Sequence, residues 1–310
     1  MPWRDVDAGA GETTASPVPA LVTDGLGKRF GAVRALEDLS LRVEQGEVFG
    51  FLGPNGAGKT TTIRLLLGLL APSGGSARVL GNPVTLGGAA WRAEVGYLPG
   101  EVSFWPGLSG RLTLDFLARL SGRPPVDGAT LAERLGLDED TLRRPVRAYS
   151  DGMRQKLGIV QALQCRPRLA LLDEPTKGLD PLVQQAFHEL IADARRDGMT
   201  VFVSSHVLTE VERLCDRVAM LREGRLVFAG GVDELRRSQR RRVTATFAAD
   251  VDHQALAHFG EVLAASPREI ALRVAQEELP ALVARLGMLP VTDVVVEPPS
   301  LEEAFLEHYR

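Results

Sequence analysis

A glycine-rich octapeptide is the clearest chemical signal in this sequence of 310 residues. It satisfies the pattern G-x-x-x-x-G-K-[ST] through the residues Gly53, Pro54, Asn55, Gly56, Ala57, Gly58, Lys59 and Thr60. Glycines let a backbone curl so that its N–H groups point into one cavity, and a following helix adds its positive N-terminal end. Lys59 can reach the β- and γ-phosphates of a nucleotide, and the Thr60 hydroxyl can hold Mg²⁺. The pattern predicts a phosphate-binding loop; the alternative is a glycine-rich turn with an exposed lysine.

A pair of adjacent carboxylates, Asp173 and Glu174, is the second signal. The pair follows the apolar run Leu169–Leu172, so that it would lie at the C-terminal edge of a strand. Beside a phosphate-binding loop, Asp173 suits a second metal-site residue, and Glu174 is placed to orient or deprotonate a water that attacks the γ-phosphate. The alternative is a plain strand followed by a polar turn at Pro175.

The octapeptide has the flanking elements that its chemistry needs. Val48–Leu52 predicts a buried strand that enters it, and a helix is expected from Lys59 to about Leu70. The run Thr200–Val203 predicts a further strand, whereas residues 111–142 are rich in helix formers and predict a helical insertion.

Composition bounds the remaining possibilities. From Leu21 onward, strand-like runs alternate with helix-length amphipathic segments, which predicts an α/β fold with a parallel sheet covered by helices. No apolar stretch approaches a membrane span. The 36 Lys+Arg against 40 Asp+Glu exclude a wholly basic, nucleic-acid-binding surface, and two cysteines are too few for a disulfide framework. Residues 1–20 lack the apolar core of a secretory signal and are expected to form a disordered arm.

Composition changes sharply near Val232, which predicts a boundary. Residues 222–242 hold seven arginines against three acids, whereas residues 243–310 hold four arginines against eleven acids. Strand and helix patterns follow in this acidic part, at Val243–Ala245–Phe247, Ile270–Leu272–Val274, Leu279–Leu282–Leu286 and Leu301–Ala304–Phe305. Ser300 and Glu303 have the spacing of a capping box before the last helix. We therefore expect a basic linker at 232–242 and a small α+β domain at 243–310.

Four further motifs occur in an order that, together with the first two, resembles the nucleotide-binding subunit of an ABC transporter. Phe30 matches the family's adenine-stacking aromatic, and Tyr149–Met153 occupies the place of the signature sequence. Gly178–Pro181 resembles the D-loop, and Ser204–His206 resembles the segment of the switch histidine. The resemblance covers residues 21–231 and implies an α/β P-loop ABC-type ATPase core with a helical subdomain at about 105–165.

Each of these four motifs also has a plain structural explanation. Phe30 could belong to the core, and His206 could be a structural histidine. Ser150 could be no more than a helix N-cap, and Asp180 followed by Pro181 is a good helix start in any protein.

The resemblance implies a mechanism and partners. Two copies pair head to tail around two ATP molecules, each held by the octapeptide, Thr61 and Mg²⁺ of one copy and by Ser150 and Gly152 of the other. Glu174 polarises the attacking water, His206 hydrogen-bonds the γ-phosphate, and Asp180 links the two sites. A separate membrane-spanning permease would be the second partner, so that the chain would lie peripherally on the cytoplasmic face of the plasma membrane.

The sequence departs from the family pattern in two places. Gly100 stands where the family usually has a glutamine that helps to hold Mg²⁺ and water, and Glu101 beside it could substitute if the loop shifts by one residue. In the signature, Asp151 replaces a glycine and Met153 a glutamine, while Ser150 and Gly152 are kept. A carboxylate near ATP is unfavourable unless it points away, so Asp151 is expected to face elsewhere.

The end of the chain favours export among the transport functions. Residues 299–306 are similar to the segment that closes bacterial drug-export ATPases of the daunorubicin-resistance type, which implies export of a drug, antibiotic or lipid-like substrate. A soluble ABC-type ATPase that acts on the ribosome or nucleic acid is the alternative, but the single phosphate-binding loop and the lack of sustained heptads disfavour it. A small-molecule kinase is disfavoured because Glu174 suits water as the acceptor. No nucleic-acid partner is expected.

Overall fold

The computed structural model describes residues 18–87, 90–237 and 240–297. Residues 1–17 of the expected N-terminal arm lie outside the described residues. The capping box at Ser300 and Glu303, and the whole segment 299–306, lie outside them as well.

Fourteen strands and ten α-helices occur in the described residues. The strands are β1 Leu21–Phe30, β2 Val33–Val43, β3 Val48–Leu52, β4 Gly74–Val79, β5 Asn82–Pro83, β6 Val95–Leu98, β7 Leu169–Asp173, β8 Thr200–Ser205, β9 Arg217–Arg222, β10 Arg225–Gly231, β11 Arg241–Phe247, β12 Gly260–Ser266, β13 Glu269–Val274 and β14 Val291–Glu297. The helices are α1 Lys59–Leu66, α2 Gly110–Leu120, α3 Gly128–Arg134, α4 Glu139–Arg143, α5 Asp151–Leu163, α6 Pro181–Arg196, α7 Leu208–Leu214, α8 Val232–Arg237, α9 Gln254–Ala257 and α10 Leu279–Leu286.

A central six-stranded sheet carries the predicted chemistry. Its strand order is β10-β9-β3-β8-β7-β6, and all neighbouring pairs are parallel except β10 with β9. Strands β3, β7 and β8 are completely buried, which explains why they are nearly continuous apolar runs. Because β8 lies between β3 and β7, the segments that follow these three strands meet at one edge of the sheet. The predicted parallel sheet covered by helices is confirmed for this part of the chain.

The first strands form a separate sheet, contrary to the expectation that the parallel pattern starts at Leu21. Strands β1 and β2 pair as an antiparallel hairpin, and the sheet order is β2-β1-β4-β5. Along β2, Leu39, Leu41 and Val43 are buried and alternate with exposed residues. Such one-sided burial is typical of antiparallel sheets, and the buried face joins a core cluster with Phe49 and Phe51 of the central sheet.

Helix α1 ends at Leu66, earlier than the expected end near Leu70. Gly68 adopts a left-handed backbone with φ 63°, and its N–H donates to the Leu65 carbonyl. A glycine in this conformation satisfies carbonyls at the end of a helix and stops it.

Residues between β6 and β7 form helices α2 to α5, which confirms the helical character expected for residues 111–142. Leu114, Ala132, Leu142 and Val146 are buried there and join the same core cluster as α5 and α6. No helix of the described residues is both long and apolar enough to cross a membrane.

The C-terminal residues form a third sheet with its own core. Its order is β12-β13-β11-β14, with all pairs antiparallel. The alternating residues of β11 and β13 and the helical pattern of α10 are buried together, which confirms those elements. The segment 232–242, however, is not simply a linker, because helix α8 occupies Val232–Arg237 and Val232 is buried in the main core. Strand β11 also begins at Arg241, two residues before the expected domain start.

Candidate functional site

The octapeptide forms a tight loop between β3 and α1. Gly56 and Gly58 have φ of 82° and 108°, in the left-handed region that favours glycine. A Cβ on Gly53 would lie 2.5 Å from the Leu221 carbonyl oxygen, and one on Gly58 would lie 2.4 Å from the Ala35 carbonyl oxygen. The loop is thus pressed between the end of β9 and the β1–β2 sheet, which fixes its curvature.

Lys59, the first residue of α1, is buried and turns back over the loop. Its Nζ donates to the carbonyl oxygens of Gly53 at 2.6 Å and Pro54 at 3.2 Å, and it lies 3.4 Å from Oε1 of Glu174. A cavity of about 160 Å³ opens beside it. The lining residues are Ala35, Pro54, Asn55, Gly56, Gly58, Lys59, Thr60, Thr61 and Glu174. This is a concave pocket that joins a lysine side chain to a helix N-terminus, the kind of site that binds phosphates.

Asp173, the last residue of β7, and Thr60, the second residue of α1, bring two oxygen ligands together. The hydroxyl of Thr60 donates to Oδ2 of Asp173 at 2.7 Å, and Asp173 is almost completely buried. A hydroxyl and a carboxylate fit Mg²⁺, which binds one or two protein oxygens and takes its other ligands from water and phosphate. In keeping with this, no group of three or more His, Cys, Asp or Glu residues in the described ranges could hold a metal by itself.

Glu174 stands on a strained backbone that the neighbouring strand holds in place. Its φ is 50°, in the left-handed region that is unfavourable for a residue with a side chain. Its N–H donates to the backbone oxygen and to the hydroxyl of Ser204, both at 3.1 Å. The Glu174 carboxylate lies against two basic groups, Nζ of Lys59 at 3.4 Å and Nδ1 of His206 at 3.2 Å. The three side chains converge on one point at the mouth of the loop.

Gly100 and Glu101 line a second cavity of about 390 Å³, which shares Asn55, Thr60 and Glu174 with the first. A Cβ on Gly100 would be 3.1 Å from Oδ2 of Asp173, so the loop passes close to the proposed metal ligands. Glu101 is exposed. The substitution of glutamine by Glu101 stays a prediction. Nearby, burial and the Asp173 carboxylate raise the pKa of Tyr97, so its hydroxyl stays protonated at neutral pH.

The signature segment begins helix α5. Ser150 is exposed and caps the helix, since its Oγ accepts from the Met153 N–H at 3.2 Å. The Asp151 side chain is 96% exposed and pairs with Arg154, so it points into solvent as expected. A Cβ on Gly152 would be 3.2 Å from the Gly178 carbonyl oxygen, which places the signature beside the D-loop.

Asp180 and Phe30 are the last two predicted site residues. Asp180 is exposed and caps α6, accepting from the Val183 N–H at 3.1 Å, with Pro181 as the first helical residue. Phe30 lies at the tip of the β1–β2 hairpin and is 48% exposed, so it does not belong to the core. Lys28 Nζ stands 5.0 Å from its ring centre.

The structure therefore divides the predicted residues into two sets. Lys59, Thr60, Asp173, Glu174 and His206 form one connected cluster. No hydrogen bond or ion pair among the described residues joins Ser150, Gly152, Asp180 or Phe30 to this cluster.

Two residues to which the sequence analysis assigned no role hold the cluster together. Ser204, completely buried on β8, donates from its hydroxyl to Oδ1 of Asp173 while accepting from the Glu174 N–H. Gln155 on α5 donates from Nε2 to the carbonyl oxygens of Glu174 at 3.2 Å and Pro175 at 2.9 Å. The only sequence signal was position, since Ser204 is the first residue of the histidine segment and Gln155 follows the last residue of the signature by two positions.

Comparison with known proteins gives the context of this site. Residues 36–177 match the family model described as ABC transporter, and residues 239–297 match the model described as EvrA-like ABC transporter, C-terminal domain. An uncharacterized ABC transporter ATP-binding protein of Nostoc, all4389, is 44% identical over 67% of this chain and 63% of its own length. The chain thus spans less than two thirds of that relative.

Two further similarities cover more of the matched protein. The daunorubicin/doxorubicin resistance ATP-binding protein DrrA of Streptomyces peucetius is 38% identical over 72% of this chain and 68% of its own length. A solved structure described as the ATP-binding subunit of an ABC transporter superposes with a TM-score of 0.66 at 31% identity, covering 71% of this chain and 92% of that one.

Proposed function

The chain belongs to the family of ABC transporter ATP-binding proteins, and from that premise we propose that it hydrolyses ATP to power export through a separate membrane permease. ATP and Mg²⁺ are its ligands, and two copies or two related chains form the working unit. The single observation that carries the hydrolytic part is the convergence of Lys59, Glu174 and His206 beside the phosphate-sized cavity.

The residues of the cluster have separable tasks in this reaction. The loop N–H groups and Lys59 bind the phosphates and stabilise the charge that develops on them. Thr60 and Asp173 would hold Mg²⁺, which would supply positive charge to the phosphate oxygens. Glu174 orients a water and takes its proton as the water oxygen forms a bond to the γ-phosphorus and the bond to the ADP oxygen breaks. His206, whose Nδ1 lies 3.2 Å from Glu174, hydrogen-bonds the γ-phosphate.

A second copy would complete the site. Ser150 and Gly152 are exposed or half-exposed at the start of α5, where backbone N–H groups and the helix dipole favour an anion. No contact within the described chain brings them to Lys59. We place them against the phosphates of ATP bound to the partner copy, with Asp180 beside them at the same interface.

Three observations support export through a permease. DrrA is by its name a drug-resistance protein, and residues 239–297 match a C-terminal domain of ABC transporters. An exposed apolar stripe lies on α2, formed by Leu112, Phe116 and Leu120, with Trp105 packed edge-on against Phe116 at 5.2 Å. Such a stripe suits an apolar partner such as a permease loop. Peripheral attachment at the cytoplasmic membrane face follows from this proposal.

Glu174→Gln tests the hydrolytic part. The amide keeps the shape of the side chain but cannot take a proton, so we expect turnover of ATP to fall about 100-fold or more while ATP binding is retained. An ATP-stabilised dimer should then be visible by gel filtration. Glu189→Gln, which changes an exposed glutamate on α6, is the matched control and should hydrolyse ATP at the normal rate. Unchanged turnover in Glu174→Gln would remove Glu174 from its role.

The transport part is tested by purification of the tagged chain from detergent-solubilised native membranes, followed by mass spectrometry. We expect a stoichiometric membrane protein with several spans. Recovery of the chain with ribosomes or nucleic acid instead would contradict the permease proposal and support an ABC-type ATPase of another kind.

A further inference from the structure

Glu210, on α7, lies outside the cluster described above yet touches both of the segments that carry its carboxylate and its histidine. Its Oε2 accepts from the Thr176 hydroxyl at 2.7 Å and from the Ser205 hydroxyl at 3.2 Å. Thr176 follows Glu174 by two residues, and Ser205 directly precedes His206. One carboxylate oxygen thus joins the turn after β7 to the turn after β8.

The contact to Ser205 fixes the backbone on both sides of His206. The Ser205 Oγ accepts from the Val207 N–H at 2.9 Å, and this hydrogen bond closes a short turn whose central residue is His206. A hydroxyl has a single proton to donate. When that proton goes to Glu210, the acceptor lone pairs of Ser205 stay aimed at Val207, and the orientation of the histidine turn is set.

The contact to Thr176 acts on the turn that displays Glu174. Thr176 is buried, and its backbone oxygen accepts from the Leu179 N–H while the Lys177 N–H donates to the Glu174 oxygen. Gln155 holds the same turn from the side of α5. Because Glu174 has a strained φ of 50°, the turn depends on such surrounding contacts to keep it in place.

The surroundings of Glu210 support its role as an acceptor. Glu210 is half-buried, and both hydroxyls that it receives are buried. His188 also lies near it, but burial lowers the pKa of His188, which keeps that imidazole neutral at neutral pH. The Thr176 contact, at 2.7 Å, has the usual length of a hydrogen bond between two oxygens, and the Ser205 contact, at 3.2 Å, is the longer of the two.

We propose that Glu210 is a positioning residue for ATP hydrolysis, which couples the Glu174 turn to the His206 turn through Thr176 and Ser205. Glu210 lines neither of the two cavities at the phosphate-binding loop. Its effect is to keep the carboxylate of Glu174 and the imidazole of His206 in register when the γ-phosphate arrives between them. This inference rests on the proposed ATPase function and goes beyond it, because nothing in the six motifs of the sequence assigns a role to this residue.

The test compares Glu210→Ala with Glu210→Gln in the purified full chain. Glu210→Ala removes the acceptor of both hydroxyls, and we expect kcat for ATP to fall about tenfold, since small misplacements of reacting groups are costly. The dissociation constant of ATP should change less than about twofold, because the phosphate-binding loop is untouched. Glu210→Gln retains a side-chain oxygen and should recover at least half of the wild-type kcat.

A double-variant series distinguishes positioning from a general loss of stability. Thr176→Val removes one of the two donors, and the pair Thr176→Val and Glu210→Ala should be no slower than Glu210→Ala alone, because both act through one network. Multiplicative effects of the two changes would overturn the proposal. So would a Glu210→Gln variant as slow as Glu210→Ala, or a loss confined to ATP affinity.

Measurements on the wild-type chain distinguish a failure of the Glu210 proposal from a failure of the proposed ATPase function. If the wild type hydrolyses ATP and Glu210→Ala is equally fast, the positioning role is wrong and the ATPase function stands. If the wild type does not hydrolyse ATP at all, in contrast, the proposed function is wrong and the role of Glu210 falls with it.

Discussion

The two halves of the proposed ATP site differ in how completely one chain builds them. At the phosphate-binding loop, Lys59 donates to the Gly53 carbonyl and Thr60 donates to the Asp173 carboxylate, and Lys59 and Asp173 are buried. Around the signature, Ser150 and Asp180 are exposed, and their side chains do no more than cap their own helices. The residues of the first half are held in place by contacts within the chain, whereas the residues of the second half lie exposed on the surface.

This difference indicates how the protein controls hydrolysis. A preformed half can bind ATP at any time, because its groups are already oriented. In the proposed dimer the exposed half contributes only after a second copy has approached, since no hydrogen bond or ion pair among the described residues joins it to the phosphate-binding loop. Binding and turnover should therefore be separable by substitutions.

Lys59→Ala should have the largest effect, because it acts on the first half, at the phosphate-binding loop. Loss of a buried ammonium that faces phosphate removes a charge-assisted contact, and we expect ATP to bind about 100-fold more weakly. Isothermal titration with ATP and Mg²⁺ measures this. Lys177→Ala, which removes an exposed lysine at the rim of the second cavity, is the control. Nearly normal affinity in Lys59→Ala would show that the loop backbone alone provides the binding.

Ser150→Arg should act on turnover and leave binding intact. The bulky cation would block approach of the partner copy, so we expect ATPase activity to fall roughly 10- to 100-fold, with the affinity for ATP unchanged. Asp138→Arg removes another exposed N-cap, that of α4, and controls for the loss of helix stability. A parallel loss of ATP affinity in Ser150→Arg would contradict the division between the two halves.

Phe30→Ala should weaken nucleotide binding moderately. Stacking of a base on an aromatic side chain contributes about 1–3 kcal/mol, so the affinity for ATP should fall about tenfold. Inorganic triphosphate, which has no base, should bind equally well to both forms of the chain. Phe30→Trp, which retains an aromatic face, should bind ATP nearly normally. Should triphosphate binding fall as much as ATP binding, Phe30 would be a structural residue of the hairpin.

Glu101→Ala should have the smallest effect. If Glu101 replaces the missing glutamine by holding a water on Mg²⁺, the concentration of Mg²⁺ needed for half-maximal turnover should rise about threefold. Glu101→Gln should behave like the wild type. The measurement is a Mg²⁺ titration of ATPase activity at saturating ATP, and an unaltered titration curve would exclude Glu101 from the metal site.

Local patterns were sufficient to predict the elements that carry the site. The buried runs of β3 and β7 and the octapeptide could be recognised because strand, turn and helix signals follow one another along a few residues. The side on which the site forms also follows from local information, since parallel strands end at a common edge.

Pairing over long distances could not be predicted in the same way. The pairing of β1 with β4 joins residues about fifty positions apart. The β1–β2 hairpin, by contrast, is local, and it differs from the expected parallel pattern although its two strands are separated only by Gly31 and Ala32. Gln155 and Glu210 look like ordinary polar residues until the fold brings them to Glu174 and Thr176. The sequence predicts too long a helix α1, because the apolar run continues past Gly68. The left-handed backbone of Gly68, however, cannot continue the helix.

The left-handed backbone of Glu174 sets stability and activity against each other at one residue. A glycine would adopt the same φ without the strain that a Cβ adds. Mutational drift under selection for folding alone would thus move this position toward glycine, and a library sorted for thermal resistance should enrich that variant. A library sorted for ATP turnover should eliminate it. The presence of glutamate at this position therefore indicates selection for turnover over selection for stability.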